Sequence, residues 1–554
     1  MGRTREEAIR QDTADLHGLG YAQELLRSMG GFSNFAISFS IISILTGAVI
    51  LYDYGLAWAG KAAVSLGWPL VTIFVLAIAA SMAELASAYP TAGGLYYWAS
   101  KMKGKGWGWW TAWLNLIGQF AIVAGINYAA AGFINATIID KLFGGTFNTF
   151  ELLPNVINGQ LITMGALMLI QLAMNIAGIN LVALLNQVSV WWHIAIVAIV
   201  AVAVTLFGKA DASGLGLFDI HPLDTAGSWS NDLGDIHLTY GPAISYPVIA
   251  AFFFSLLQAN WTYTGYDASA HVAEETIGAR VASAWGVFLS VAVSAVVGYI
   301  FLMVLSLHTP ELSALFPASL DDSSTYSQYY FGGGVAVISI LVYNLGDFLG
   351  NFVSAGIAIA MAFCGLSSVA AAGRMLFAFA RDDGLPGAGW LKKVSHRYRT
   401  PGNSLAAIVV VSWLFTVAAF AVGAAGGPGG GGIAIVIVTA ISTIFLYAAY
   451  GVVIYLGATT QEWTQHRTWS LGRWSRPIAW IAVFWILVLM ALFSFPTSGN
   501  ISWPFMVGIV VLLLIYYFAW ARARFKGPRV MGAESELAAI EKEFQEAAGE
   551  LAGA

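Results

Sequence analysis

Twelve stretches of this chain stay apolar long enough to cross a lipid hydrocarbon core, and nothing else in the sequence restricts the fold so much. A core about 30 Å thick needs about 20 helical residues, and a backbone with no water to bond must satisfy itself within a helix. The centres lie near residues 45, 78, 120, 170, 198, 258, 294, 365, 413, 445, 485 and 511. A thirteenth apolar piece, residues 335–345, is too short to cross and reads as a helix against the outer face. Only 10% of the residues are charged, against about 25% in a soluble domain, so a string of soluble domains is excluded. The expected class is an all-α membrane protein lying in the lipid bilayer.

If twelve spans alternate, all but three of the 25 lysines and arginines fall on the side of the two termini; the exceptions are Lys61, Lys141 and Lys209. Positive loops are retained in the cytoplasm, so both termini are expected there, in a multi-pass protein of the cell membrane. The opening thirty residues are polar, with no short apolar core before a cleavage site, so the first span itself is expected to direct insertion. Residues 1–30 and 522–554 read as cytoplasmic tails, with a solvated Glu- and Ala-rich helix over 532–554. Between them come residues 31–207 with five spans, an external loop at 208–246, five more spans at 247–458, and helices 11 and 12 at 459–521. Residues 308–332 form a second polar external loop, and the glycines at 426–432 a flexible turn. Cys364 is the single cysteine and lies in an apolar run, which leaves no thiol pair for a disulfide or metal. No basic tract interleaved with aromatics speaks for nucleic acid, and no HExxH or Ser/His/Asp arrangement speaks for an intramembrane enzyme. No cofactor or metal is expected.

Two spans carry an interruption. Thr46-Gly47 falls mid-membrane in the first, and Thr264-Gly265, followed by Asp267, in the sixth. Glycine inside a helix costs about 1 kcal/mol, and one reading is that each glycine merely lets two helices pack closely. Matched interruptions at the start of each five-span half point instead to a transporter site built from inverted repeats. Unwinding frees N–H groups where the following half-helix dipole is positive and carbonyls where the preceding one ends, a pairing that suits a carboxylate and an ammonium. Asp267 is an intramembrane carboxylate and by that alone a functional candidate.

Four stretches make the sequence resemble the amino acid, polyamine and organocation permeases, most closely their amino acid and choline transporter branch, which includes GABA permeases. They are residues 19–48, 82–102, 261–276 (WTYTGYDASAHVAEET) and 373–386 (GRMLFAFARDDGLP). Two features depart from the family pattern: Asp383 intrudes after the eighth span, and residues 308–351 are longer than usual. The resemblance implies the leucine-transporter-type fold, two inverted five-helix repeats with two extra C-terminal helices, twelve transmembrane helices in all, working by alternating access. It implies a carboxylate seat at Thr46, Gly47 and Ala48 and an amine seat among carbonyls near residues 259–263, at the Thr264-Gly265 break. Trp261, or after it Tyr263, would close over the solute. Asn115 and Gln119 would face the cavity or bridge helices; Thr439, Ser442 and Thr443 are further candidates.

The driving ion is expected to be a proton, with sodium as the alternative. His193 stands where relatives often carry a lysine in place of a sodium ion, and histidine titrates near neutrality; it could equally be a satisfied core histidine. Ser367 and Ser368 would line a sodium site, since hard cations take oxygen ligands. Asp267 would steady its half-helix or serve the inner gate, and Glu84 would pair with Arg374 or Arg381. The small-molecule partner is thus an amino acid or related amine, with GABA-like compounds leading. Choline, a polyamine, amino acid exchange, and a transport-inactive sensor with the same fold remain the alternatives; the oligomeric state is not legible.

Overall fold

The structure, a computed structural model, describes residues 4–144, 147, 150–154, 156–211, 213–221, 248–310, 335–425, 430–460, 462–494, 502–529 and 534–552. The expectations for residues 222–247, 311–334 and 426–429, which cover most of the two external loops and the glycine run, lie outside the described residues.

Helix α1 (Arg5–Gly18) starts from a capping box in which Thr4 Oγ1 accepts from Glu7 N and Glu7 Oε2 from Thr4 N. The first span is broken into α2 (Gly31–Ile42), α3 (Gly47–Ile50) and α4 (Tyr52–Ala59). Then come α5 (Trp68–Ala88), α6 (Leu95–Lys103), α7 (Lys105–Ile134), α8 (Gly159–Ile176) and α9 (Ile179–Phe207), with a small antiparallel pair β1 (Glu151–Leu153) and β2 (Ile157–Asn158) before α8. The sixth span is broken in turn, into α10 (Val248–Ser255), α11 (Leu257–Thr262) and α12 (Ala268–His271). Helices α13 (Ala279–Leu307), α14 (Val335–Arg381), α15 (Gly402–Ala425), α16 (Gly430–Thr459), α17 (Ser475–Ser494), α18 (Ser502–Tyr516) and α19 (Glu534–Ala552) complete the chain. Among the described residues eleven helices are long and apolar enough to cross a membrane, and the interrupted sixth span adds the shorter apolar stretch Val248–Thr262. The protein is an integral, multi-pass, all-α membrane protein.

The piece at 335–345 is a helix continuous with the eighth span except at Gly346, whose φ of 80° only glycine adopts at little cost, and it buries Ala336, Val337, Ile340 and Leu341. Large apolar side chains on outer faces, among them Ile73, Trp191, Leu206, Phe484 and Phe518, stay exposed and mark the lipid side.

Packing follows the repeat. The second span lies on the seventh (α5 on α13) and the third on the eighth (α7 on α14). The third also lies on the tenth (α7 on α16) as the eighth lies on the fifth (α14 on α9), and α2 lies on α9 as α11 lies on α16. Exchanging spans 1–5 for spans 6–10 therefore maps these contacts onto one another. Both broken spans are held inside this frame, away from lipid, as unpaired backbone at membrane depth requires.

Candidate functional site

Helix α2 stops at Ile42 because Ser43 takes a φ of 28°, which ends the helical ladder. The amides of Thr46 and Gly47 both turn back to the Ser43 carbonyl, at 2.8 and 2.9 Å, while those of Ile44 and Leu45 meet no acceptor among the described residues. Of the three expected seats, the amides of Thr46 and Gly47 are thus taken, while that of Ala48 likewise meets no acceptor among the described residues. Gly47 itself is helical, and its role is closeness: a Cβ there would lie 2.6 Å from Thr262 Cα. The Ala48 carbonyl accepts from Gln258 Nε2 at 3.0 Å.

In the sixth span the break belongs to glycine. Gly265 has φ 85°, and a Cβ would sit 2.2 Å from Ile41 Cγ2 on the first span. Thr264 folds back, its hydroxyl donating to the Trp261 carbonyl at 2.6 Å. Tyr447 on α16 donates to the carbonyls of Asn260 and Tyr263 at 3.2 and 3.3 Å, and the Gly265 amide donates to the Tyr450 hydroxyl at 3.3 Å. The two breaks therefore cross at Gly47 and Thr262, with α16 bracing the second.

Trp261 lies on α11, buried, with Nε1 donating to Ser442 Oγ at 2.9 Å; Ser442 in turn donates to the Thr439 carbonyl, as does Thr443. Tyr263 points elsewhere, its hydroxyl 2.7 Å from Thr72 and its ring 4.8 Å from that of Trp68. Asp267 is fully buried, and Asn115 Nδ2 donates to its Oδ2 at 3.0 Å, Gln119 Nε2 at 3.4 Å, and the Tyr450 hydroxyl to its Oδ1 at 2.8 Å. His271 Nε2 stands 3.2 Å from the same Oδ2. Asn115, Gln119 and Asp267 thus come together beside the second break.

His193 on α9 reaches the first break. Its Nε2 is 2.7 Å from Ser43 Oγ, which is 2.6 Å from Thr46 Oγ1, and its Nδ1 is 2.7 Å from the Ser189 carbonyl. Ser367 bonds Asn186 Oδ1 and the Phe363 carbonyl, and Ser368 the Cys364 carbonyl, so both hydroxyls are turned onto helix partners. Among the described residues no cluster of His, Cys, Asp and Glu could hold a metal ion.

Glu84 corrects an expectation. It pairs with Arg467 at 2.7 Å and accepts from Leu471 N and Ser475 Oγ, because α5 packs against α17 and not against the end of α14. Arg374 and Arg381 go instead to Glu275 and Glu274, at 2.9 and 2.8 Å, all four buried. Arg27 adds bonds to the carbonyls of Ala273 and Thr276, closing the molecule below the second break on the side of the termini. Just beyond, Asp382 accepts from the hydroxyls of Tyr21 and Tyr96 and from Arg529 N. Burial pushes its carboxyl above the ordinary range, although Arg381 opposes this. At the other end Lys61 pairs with Asp211, and Tyr52 meets Ser306 at 3.0 Å.

Sequence reasoning missed Ser43, His271, Tyr447 and Tyr450. For the tyrosines a signal existed: Thr443, Tyr447 and Tyr450 recur at i, i+4 and i+7, one face of a helix.

A family model described as amino acid permease matches residues 29–517. The chain is 31% identical over 528 residues to the amino-acid permease BAT1 of Arabidopsis thaliana, covering 93% of this chain and 95% of the relative. Its homolog in Oryza sativa subsp. japonica is 30% identical over 93% and 95% of the two chains. A protein named putative polyamine transporter in Candida albicans is 26% identical over 97% and 92%.

Proposed function

Because the chain belongs to the amino acid permease family, we propose that this transporter imports an amino acid or related amine across the cell membrane by alternating access, with a GABA-like compound as the leading solute and both termini in the cytoplasm. The observation that carries the reading is the crossing of the two broken spans at Gly47 and Thr262. There the unbonded amides of Ile44 and Leu45 offer an anion seat. The sixth-span carbonyls near residues 259–263 offer the counterpart for an ammonium. In this reading Glu274–Arg381 and Glu275–Arg374 tie the end on the side of the termini, and Lys61–Asp211 ties the other, as an occluded form would need.

The driving ion in this reading is a proton, and His193, in contact with Ser43, is the group carried forward from the sequence. Sodium is the alternative, since Ser367 and Ser368 donate their hydroxyl protons to helix partners and keep oxygen lone pairs for a cation. A choline box is disfavoured. It needs Trp261, Tyr263 and Tyr266 around one cation, and their partners are Ser442, Thr72 with Trp68, and Tyr450 respectively. A polyamine keeps one specific observation in its favour, the fully buried carboxylate of Asp267.

Thermal stabilisation of the purified protein tests the solute class. A ligand at 100 times its Kd adds about 2.7 kcal/mol, so GABA and related amino acids should raise the Tm while choline leaves it unchanged. Stabilisation by choline or polyamines alone would replace the proposed solute.

A further inference from the structure

Two nitrogens of one buried ring, each facing an acceptor, carry a proton count with them. His271 Nδ1 lies 3.0 Å from the Ala92 carbonyl and Nε2 lies 3.2 Å from Asp267 Oδ2, with both side chains wholly buried. A carbonyl oxygen can only accept, so the Nδ1 proton is committed to Ala92. The contact between Nε2 and Oδ2 then needs a second proton, on the ring as an imidazolium or on the carboxyl as an acid. Without it, a nitrogen lone pair would face a carboxylate. His193 imposes no such requirement: its Nδ1 faces the Ser189 carbonyl, but its Nε2 faces the Ser43 hydroxyl, which can donate, so a neutral ring satisfies both.

The surroundings leave this proton to the pair. Helix α2 brings no ionisable group, α7 brings only the amides Asn115 and Gln119, and α16 brings the hydroxyls of Tyr447 and Tyr450. Tyr266 precedes Asp267 on its own segment, its ring against that of Tyr450. Arg374 and Arg381 on α14 are taken by Glu275 and Glu274, and Arg280 on α13 by Asp15. Arg27 goes to backbone carbonyls, Gln23 and Asp12. The loop that receives His271 is shaped to it as well: Gly94 takes φ 46°, and a Cβ there would lie 3.1 Å from the ring.

We propose that the Asp267–His271 pair is the seat of the transported proton, held while the permease is closed at both ends and released toward the side of the termini when α12 leaves the Ala92–Gly94 loop. The proposal rests on the proton-coupled reading above and moves its proton from the first break to the second. Release balances simply: one proton leaves the Nε2–Oδ2 contact for water, and an imidazole and a carboxylate remain, free to separate.

The test uses the full-length protein in proteoliposomes with a pH-sensitive dye inside and γ-aminobutyrate as the solute. Counterflow of labelled solute measures solute movement, and lumen acidification on solute addition measures proton movement. His271→Gln should keep native counterflow and lose the solute-linked acidification, and the double variant Asp267→Asn with His271→Gln should do the same. Acidification that survives in both variants, or that is lost only in His193→Gln, overturns the proposal. So does loss of counterflow in folded variants, which makes the pair a solute contact. If His271→Gln alone does not fold, the double variant decides, because it removes both partners together; two unfolded variants mark a structural pair and overturn the proposal equally. Native protein that exchanges solute without acidifying the lumen would overturn the coupled reading itself, before any variant is made.

Discussion

Replacing Gly47 by alanine should act on one contact only. Gly47 is helical, so alanine meets no backbone penalty and gains about 1 kcal/mol of helix propensity. The added methyl, however, would stand 2.6 Å from Thr262 Cα and 2.8 Å from its Oγ1, where carbon atoms prefer about 3.5–4.0 Å. Overpacking costs about 1–3 kcal/mol. The upper end applies, because the nearest atom is backbone and cannot rotate away. The net, about 2 kcal/mol, falls on the form in which the breaks touch, and corresponds to about 30-fold in an equilibrium at 1.4 kcal/mol per tenfold. If solute is held in that form, its apparent affinity in a counterflow assay should fall by that factor while the protein still folds. Gly508→Ala on α18, where a Cβ meets nothing within 4 Å, is the control. Native apparent affinity in Gly47→Ala would refute the idea that solute binding needs the two breaks in contact.

Other perturbations separate the remaining parts. Trp261→Phe keeps an aromatic ring but loses the bond to Ser442, worth about 1 kcal/mol, and should weaken apparent solute affinity about fivefold in uptake titrations. Arg374→Ala leaves Glu275 buried without its partner and should cost about 3–5 kcal/mol of stability, read as a lowered Tm; Arg374→Met with Glu275→Leu should recover most of it. Asp382 is expected to shape the pH dependence of stability. Its folded carboxyl is raised by burial, so its contribution is fully present below the ordinary value of 3.8 and is lost as pH rises through the raised one. Asp382→Asn, which resembles the protonated form, should therefore gain on the native protein in Tm as pH rises from acid to neutral; a constant difference across that range would show that the group does not titrate there.

What the sequence discloses and what it withholds differ for physical reasons. Gly265 announces its break, because a φ of 85° is rarely adopted by any other residue. Gly47 looks identical in the sequence, yet it serves packing, and Ser43, which turns the first span, gives no such sign. Asn115 and Gln119 are visible as polar residues one turn apart, but that they meet Asp267 depends on how the third and sixth spans are rotated. The partner of Glu84 was illegible for the same reason: Arg467 lies 383 residues away and arrives only because the eleventh span packs on the second. The twelve-span plan and the family were legible because length, hydropathy and the four quoted motifs are local properties of the chain.

If a proton gradient moves an amine-bearing solute through the crossing of the two broken spans, the protein alone must support concentrative uptake. Proteoliposomes holding only this protein, alkaline inside and acid outside with the membrane potential clamped, would be offered labelled γ-aminobutyrate. Accumulation above the external concentration, collapsing when a protonophore is added, is the expected result. Uptake that merely equilibrates, and is indifferent to the protonophore, would contradict it.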